Sequence, residues 1–177
     1  DVTTNGGTTA FSSTTATASI IVTSVNDAPV AANAALTAID EDVTSANNPG
    51  TLVSALVSGC TDADSNAVKG LAVVAVDEAN GKWYYTTNGG SSWLSLTGVS
   101  ETAARLLKGD DANYKVRFVP NANYNGTATF TFRAWDQTSG TAGQTADVTT
   151  NGGSTAFSGL TATASITINS INDAPTL

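Results

Sequence analysis

The chain has 177 residues, of which 41% are hydrophobic and 12% charged, with a net charge of −8, no His, no Met and one Cys. That is enough apolar material for a core, and too little cation for a nucleic-acid or anionic-membrane partner, whose affinity comes from Lys and Arg on phosphates. Without His or a second Cys there is no usual general base, no nucleophilic triad and no intrachain disulfide, so the chain is not expected to be an enzyme.

The opening phrase "DVTTNGGTTAFSSTTATASIIVTSVNDAPV" at Asp1 returns as "DVTTNGGSTAFSGLTATASITINSINDAPT" at Asp147, a spacing of 146 residues with 22 of 30 pairs identical. Repetition at a domain-sized period indicates modules in tandem. Pro29 and Pro175 each end a strand-like run, because proline cannot continue a ladder. The expected division is 1–29 as the C-terminal loop, last strand and linker of a preceding repeat, 30–171 as one complete repeat, and 172–177 as the start of the next linker. The strand expected within 1–29 is left three options: to dangle, to pair with a neighbouring molecule, or to dock on the complete module.

Within 30–171 the elements follow in order. "AALTAI" and "TLVSALV" read as strands, and "GLAVVAVD" is apolar on both faces, as a central strand is. "GKWYYTTNGGSSWLSL" reads as a hairpin, since Asn88-Gly89 supplies the positive φ of a tight turn. "ETAARLL", Glu101 to Leu107, reads as a short helix. "YKVRFVP" turns Val116 and Phe118 inward and Lys115 and Arg117 outward. "TATFTFRAWD" turns Ala128, Phe130, Phe132 and Ala134 inward, and the last strand does the same with Ala162, Ala164, Ile166 and Ile168.

These strands predict an all-β, antiparallel β-sandwich of roughly six to eight short strands. The Trp83–Trp93 hairpin is expected as an insertion, and Gln137 to Ser158 as a long Gly/Thr/Ser-rich loop. No apolar run approaches the roughly 18 residues of a membrane span, and no signal-peptide pattern is present. The Thr/Gly-rich opening reads as a cut from something longer.

The carboxylates cluster. "DED" is Asp40-Glu41-Asp42; "TDADSN" sets Asp62, Asp64 and Asn66 at alternate positions; Asp136 ends a strand; Asn26-Asp27 and Asn172-Asp173 lie at the joints. Calcium takes six to eight oxygens from carboxylates, amides and backbone carbonyls, and a D-x-D-x-N loop with an Asp at a neighbouring strand end supplies them. The same residues also favour turns for local hydrogen-bonding reasons, a reading that weighs equally for Asp40 and Asp42. Asp77, Asp110 and Asp111 read as surface charges, and Cys60 as a half-buried small residue.

On these residues a resemblance becomes specific. "NDAP" resembles the cadherin linker, Asp62-Ala63-Asp64 its D-x-D loop, and Ala134-Trp135-Asp136 its A-x-D strand end. "GKWYYTTNGGSSW", "RFVPNANYNGTATFTFRAWDQTSG" and "STAFS" look like the cadherin-like tandem repeats of very large bacterial surface adhesins, including those of the RTX type. The resemblance implies calcium at the joints between modules. Asn26 and Asp27 would share ions with Asp62, Asp64 and Asp136, and Glu41 would sit at the opposite end with Asn172 and Asp173. The linker lacks the family's leading Asp and second Asn, so one or two ions per joint are expected.

The function implied is that of an extender repeat in a secreted protein of the bacterial cell surface, supporting cell adhesion or biofilm attachment, with neighbouring repeats as partners. The alternative is a module that binds glycan or a host or microbial surface through an aromatic platform of Trp83, Tyr85 and Trp93. The hairpin also looks like the Asp-box turn of sialidases, a structural turn that implies no glycosidase activity.

Overall fold

The structure, a computed structural model, describes residues 1–175; the last two residues of the 172–177 linker lie outside the described residues. It is mostly β, with almost no helix and two sheets. The strands are β1 (Ala34–Ala35), β2 (Ile39–Asp40), β3 (Thr51–Leu52), β4 (Gly70–Val76), β5 (Gly81–Thr86), β6 (Leu94–Ser95), β7 (Ala104–Lys108), β8 (Lys115–Pro120), β9 (Gly126–Trp135), β10 (Thr145–Ala146) and β11 (Ala162–Asn169), with a 3-10 turn at Ser45–Asn47 before β3 and one α-helical turn, α1 (Val53–Leu56), after it among the described residues. Among the described residues no helix is long and apolar enough to cross a membrane.

The larger sheet has the order β1-β11-β9-β4-β7-β10, with β2 also paired to β11. The smaller has the order β3-β8-β5-β6. Alternation on β9 and β11 works as the sequence predicts: Ala128, Phe130, Phe132 and Ala134, and Ala162, Ala164, Ile166 and Ile168, are all buried. They share one core with Trp83, Tyr85, Val116 and Phe118 of the smaller sheet. Trp83 meets Phe130 edge-on across that core, with ring centroids 5.1 Å apart.

A second core lies on the other face of the larger sheet. Ala72, Val74, Leu106 and Trp135 pack there against Val148, Ala156 and Phe157 of the Gly/Thr/Ser-rich loop. That loop is therefore a cover, and it explains why β4 is apolar on both faces. A bulge at Val74 shifts the β4–β9 register between Val73 and Ala75.

The structure corrects several expectations. Glu101–Leu107 is not helical: Ala104–Lys108 is strand β7, held between β4 and β10. The helix-favouring residues Ala, Arg and Leu are overruled by ladder hydrogen bonds and burial on both faces. "TLVSALV" continues as a strand only for Thr51–Leu52, then turns into α1, because Val53, Leu56 and Val57 bury at helical spacing. "AALTAI" splits into β1 and β2, which both run parallel to β11 with a one-residue slip between them.

The Trp83–Trp93 hairpin is not an insertion. Its first arm, β5, is an interior strand of the smaller sheet, and Trp83 is fully buried. Cys60 is buried rather than half-buried. Arg117 faces away from the main core yet is covered by Asn48 and Trp93. No strand forms within 1–29: Ile20 is 88% exposed and Val22 84%, since nothing beside them offers a ladder partner.

Replacing Trp83 by Ala should lower unfolding free energy in urea by about 3–5 kcal/mol, while Ile20→Ala should change it by less than about 0.5 kcal/mol. Burial pushes the Cys60 thiol pKa up against smaller opposing effects from the Ala32 backbone and Lys69. Cys60 should therefore react with a disulfide reagent at neutral pH only after the chain is unfolded.

Candidate functional site

The expected ligand residues fall at two ends of the molecule. Strand β9 sets the distance between them. Asn125 precedes its first residue and Asp136 follows its last, about 36 Å apart at roughly 3.3 Å per residue.

At the Asp136 end the linker from the first repeat copy docks. The Asp27 backbone N–H donates to Asp64 Oδ2 at 2.8 Å, and the Asp64 N–H donates to Asp62 Oδ1 at 2.9 Å. The second Asp62 oxygen, Oδ2, is buried with no hydrogen-bond partner. Asp136 is buried, and its Oδ1 accepts from the Thr138 N–H and hydroxyl at 2.8 and 2.6 Å. The Asn26 amide nitrogen lies 2.8 Å from Asp136 Oδ2, 3.2 Å from Thr155 O, 3.3 Å from Asp27 O and 3.4 Å from Ser154 O. An amide nitrogen has only two hydrogens, so four oxygens crowd one donor that cannot serve them all.

Asn26, Asp64, Asn66 and Asp136 line one cleft of about 330 Å³. Asp27 and Asp62 line its neighbour. Asn66 holds a left-handed backbone, φ 65°, which turns the Asp62–Asp64 loop back toward β4.

Sequence reasoning missed the carbonyls of Gly153, Ser154 and Thr155. They come from the turn of the second repeat copy, and Ala28 N–H donates to Gly153 O at 2.8 Å. Gly152 and Gly153, at φ 71° and 58°, make that turn. The Thr-Asn-Gly-Gly phrase was the available signal, but a phrase names a turn and not what its carbonyls will face. Asp147 opens the same loop, and the Thr149 hydroxyl, followed by the Thr149 N–H, holds its carboxyl below the ordinary Asp range.

At the other end Glu41 is buried. Its Oε1 accepts the Ile171 N–H at 2.6 Å, and its Oε2 accepts from the Asn125 amide at 3.2 Å. Asp40 Oδ1 accepts from the Asn169 amide at 3.1 Å. Glu41 thus grips the backbone that leads into Asn172-Asp173, but those two side chains turn outward and are exposed, with the Asn172 amide on Asp173 O. The expected grouping of Glu41 with their side chains is not formed.

All of these donors are oxygens or oxygen-bearing amides, the chemistry a hard cation takes. Among the described residues, however, no group of three or more His, Cys, Asp or Glu side chains is placed to hold a metal ion. The cleft at Asp136 is one of linker, turn carbonyls and carboxylates together. Of the expected aromatic platform, Trp83 is fully buried and Tyr85 nearly so, which removes both from any sugar-facing surface. Only Trp93 reaches the exterior, because β5 directs its odd-numbered rings into the core. Comparison of the chain with protein-family models, curated proteins and solved structures gives no match.

Glu41→Ala should remove the carboxylate that accepts the Ile171 N–H and cost about 1–3 kcal/mol in chemical denaturation, with Glu41→Gln costing less because it keeps an acceptor. The depressed Asp147 pKa gives stability that is present above the unfolded-state value and lost as pH falls through the lower folded value. By NMR titration, Asp147 should titrate at a higher pH in Thr149→Ala than in the parent chain.

Proposed function

We propose that the chain is a cadherin-like β-sandwich repeat of a large secreted bacterial adhesin of the RTX type, preceded by the end of the previous repeat. Its role is to extend the adhesin from the cell surface, in support of cell adhesion or biofilm attachment. Calcium at the joints stiffens the string. The observation that carries this reading is the linker docked at the acidic end, with the Asn26 amide surrounded by four oxygens.

Two features support a tandem arrangement. First, residues 1–11 fold locally as residues 147–157 do. Gly6 N–H to Phe11 O and Gly152 N–H to Phe157 O are both 2.8 Å, and Thr9 N–H to Gly6 O and Thr155 N–H to Gly152 O are both 3.1 Å. Second, Ala16, Ala18, Ile20 and Val22 hold the positions that Ala162, Ala164, Ile166 and Ile168 bury in β11, yet they are exposed. They carry the inward pattern of a last strand whose sheet belongs to another module.

The ion would be held by Asp62, Asp64 and Asp136, with Asn26 presenting its carbonyl oxygen after an amide turn, and with carbonyls of the Ser154–Thr155 turn. Asp62 Oδ2, buried and without a hydrogen-bond partner, is the oxygen most available to contact a cation. Bound calcium would neutralise carboxylates that otherwise repel. Asn26 and Asp27 tie linker to module, so their orientation sets the angle between neighbours.

Extracellular calcium modules bind at about 10⁻⁴ to 10⁻³ M. At ten times Kd, one site adds about 1.4 kcal/mol, which raises the melting temperature by about 3–6 °C for a chain of this size. A melt in millimolar calcium, beside EDTA and magnesium controls, should show that rise for calcium only, and Asp62→Ala with Asp64→Ala should erase it. Equal melting in all three would remove calcium from the proposal.

A further inference from the structure

We infer that the outer face of the smaller sheet carries a site for the carboxylate or sulfate group of an acidic saccharide, built on Lys115, Arg117 and Trp93. This goes beyond the calcium joint and does not depend on it. Strand β8 places Lys115 and Arg117 two residues apart, on the face opposite Val116 and Phe118. Across the ladder Arg117 stands opposite Tyr84 and Lys115 opposite Thr86.

Arg117 is only 8% exposed, a burial that an arginine normally shares with a carboxylate. It has none. The ion pairs among the described residues are Lys82–Glu78 and Arg133–Glu101. Arg117 Nη1 donates to the carbonyls of Ser45 and Asn48 at 2.8 and 3.2 Å, and its Nε–H is buried without an acceptor. The guanidinium lies 4.1 Å from the Trp93 ring centroid, the stacking that arginine makes on aromatic faces. The site is built for that stack. Gly50, at φ +71°, lies against the ring, where a Cβ would come within 2.6 Å of the indole and 2.9 Å of Val116 O.

The cleft beside this stack has a volume of about 440 Å³ and is lined by Asn48, Gly89, Trp93, Lys115 and Arg117, with Ser45 at its side. No Asp or Glu lines it, in a chain whose net charge is −8. Lys115 Nζ gives one hydrogen bond to Gly89 O at 3.1 Å, and an ammonium has two more to give. Lys115 thus has donors to spare and no carboxylate in the cleft competes for them, so the fitting group is an oxyanion, which accepts only. No Leu, Ile or Val lines the cleft, so it has no apolar socket for the side-chain anchors of a peptide. A ring with an acidic substituent suits a shallow cleft that combines an indole with cationic donors.

The test uses the full chain in EDTA, so that calcium neither bridges the sugar nor confuses the outcome with that of the joint. A trigalacturonate is titrated while the Trp93 indole and Arg117 Nε–H signals are followed by NMR, with its neutral methyl ester, inorganic sulfate and a glutamate peptide as parallel probes. Expected are saturable shifts of both signals with trigalacturonate, weaker shifts with sulfate and none with the ester. Lys115→Glu should reduce affinity at least about tenfold, and Lys115→Gln by less, both with the melting temperature of the parent chain. No shift at millimolar trigalacturonate, equal binding of the ester, or affinity unchanged in Lys115→Glu would overturn the site. A glutamate peptide that binds as tightly as the sugar would overturn the saccharide assignment.

Discussion

The edge-on contact of Trp83 with Phe130 joins the two sheets, and most of the structure depends on it. Trp83 belongs to the interior strand of the smaller sheet and Phe130 to the middle of β9 in the larger. Phe118 and Phe132 extend the contact to either side. Once these rings are stacked in the interior, the faces of β5, β8 and β9 are fixed. A strand that buries one ring must expose the next residue, or find a second cover for it. On β5 the next residue is Tyr84, which becomes part of the outer face. On β9 the residue after the inward Ala134 is Trp135, and the 137–159 loop supplies its cover.

The second cover ties structure to site. The loop that buries Trp135 and Phe157 also projects the Gly153–Thr155 carbonyls at the linker. It is anchored by Arg133, which donates both to Glu101 and to the carbonyls of Ser158 and Gly159. A ten-residue strand thus carries the main core on one face, the covered second core on the other, and the buried carboxylate of Asp136 at its exit. Loss of packing at Trp135 would loosen the turn that receives Asn26, because Trp135 pairs with Phe157, whose carbonyl closes that turn.

Charge is distributed unevenly over this frame. The carboxylates gather at the ends of the larger sheet, where strands stop and backbone groups need partners. Lys82, Lys115 and Arg117 lie on the smaller sheet, and Arg117 is buried there under Trp93. On the proposed function the two ends would take cations and linkers, and on the further inference the smaller sheet's outer face would take an anion. The two surfaces draw on different residues.

The sequence by itself determined the features that are local. The period-two alternation of β8, β9 and β11 specified which side chains face the main core, because a strand has only two faces. The repeat specified its own turn: residues 1–11 and 147–157 make the same hydrogen bonds in different surroundings, since Gly-Gly backbones and Asx and Thr contacts close within a few residues. The grouping of Asp62, Asp64, Asn66 and Asp136 at one end was also legible, from a D-x-D-x-N loop and a strand end. Only the tertiary structure decided the rest. Glu101–Leu107 has a helical composition but lies between two strands, and ladder bonds outweigh propensity there. Trp83 and Tyr85 look like a surface platform until β5 is seen to be an interior strand. The Ser154 and Thr155 carbonyls beside Asn26, Arg117 without a carboxylate and the unpaired segment at Ile20 depend on which distant segment lies alongside, and contacts between residues far apart in the chain leave no pattern in the stretches that make them.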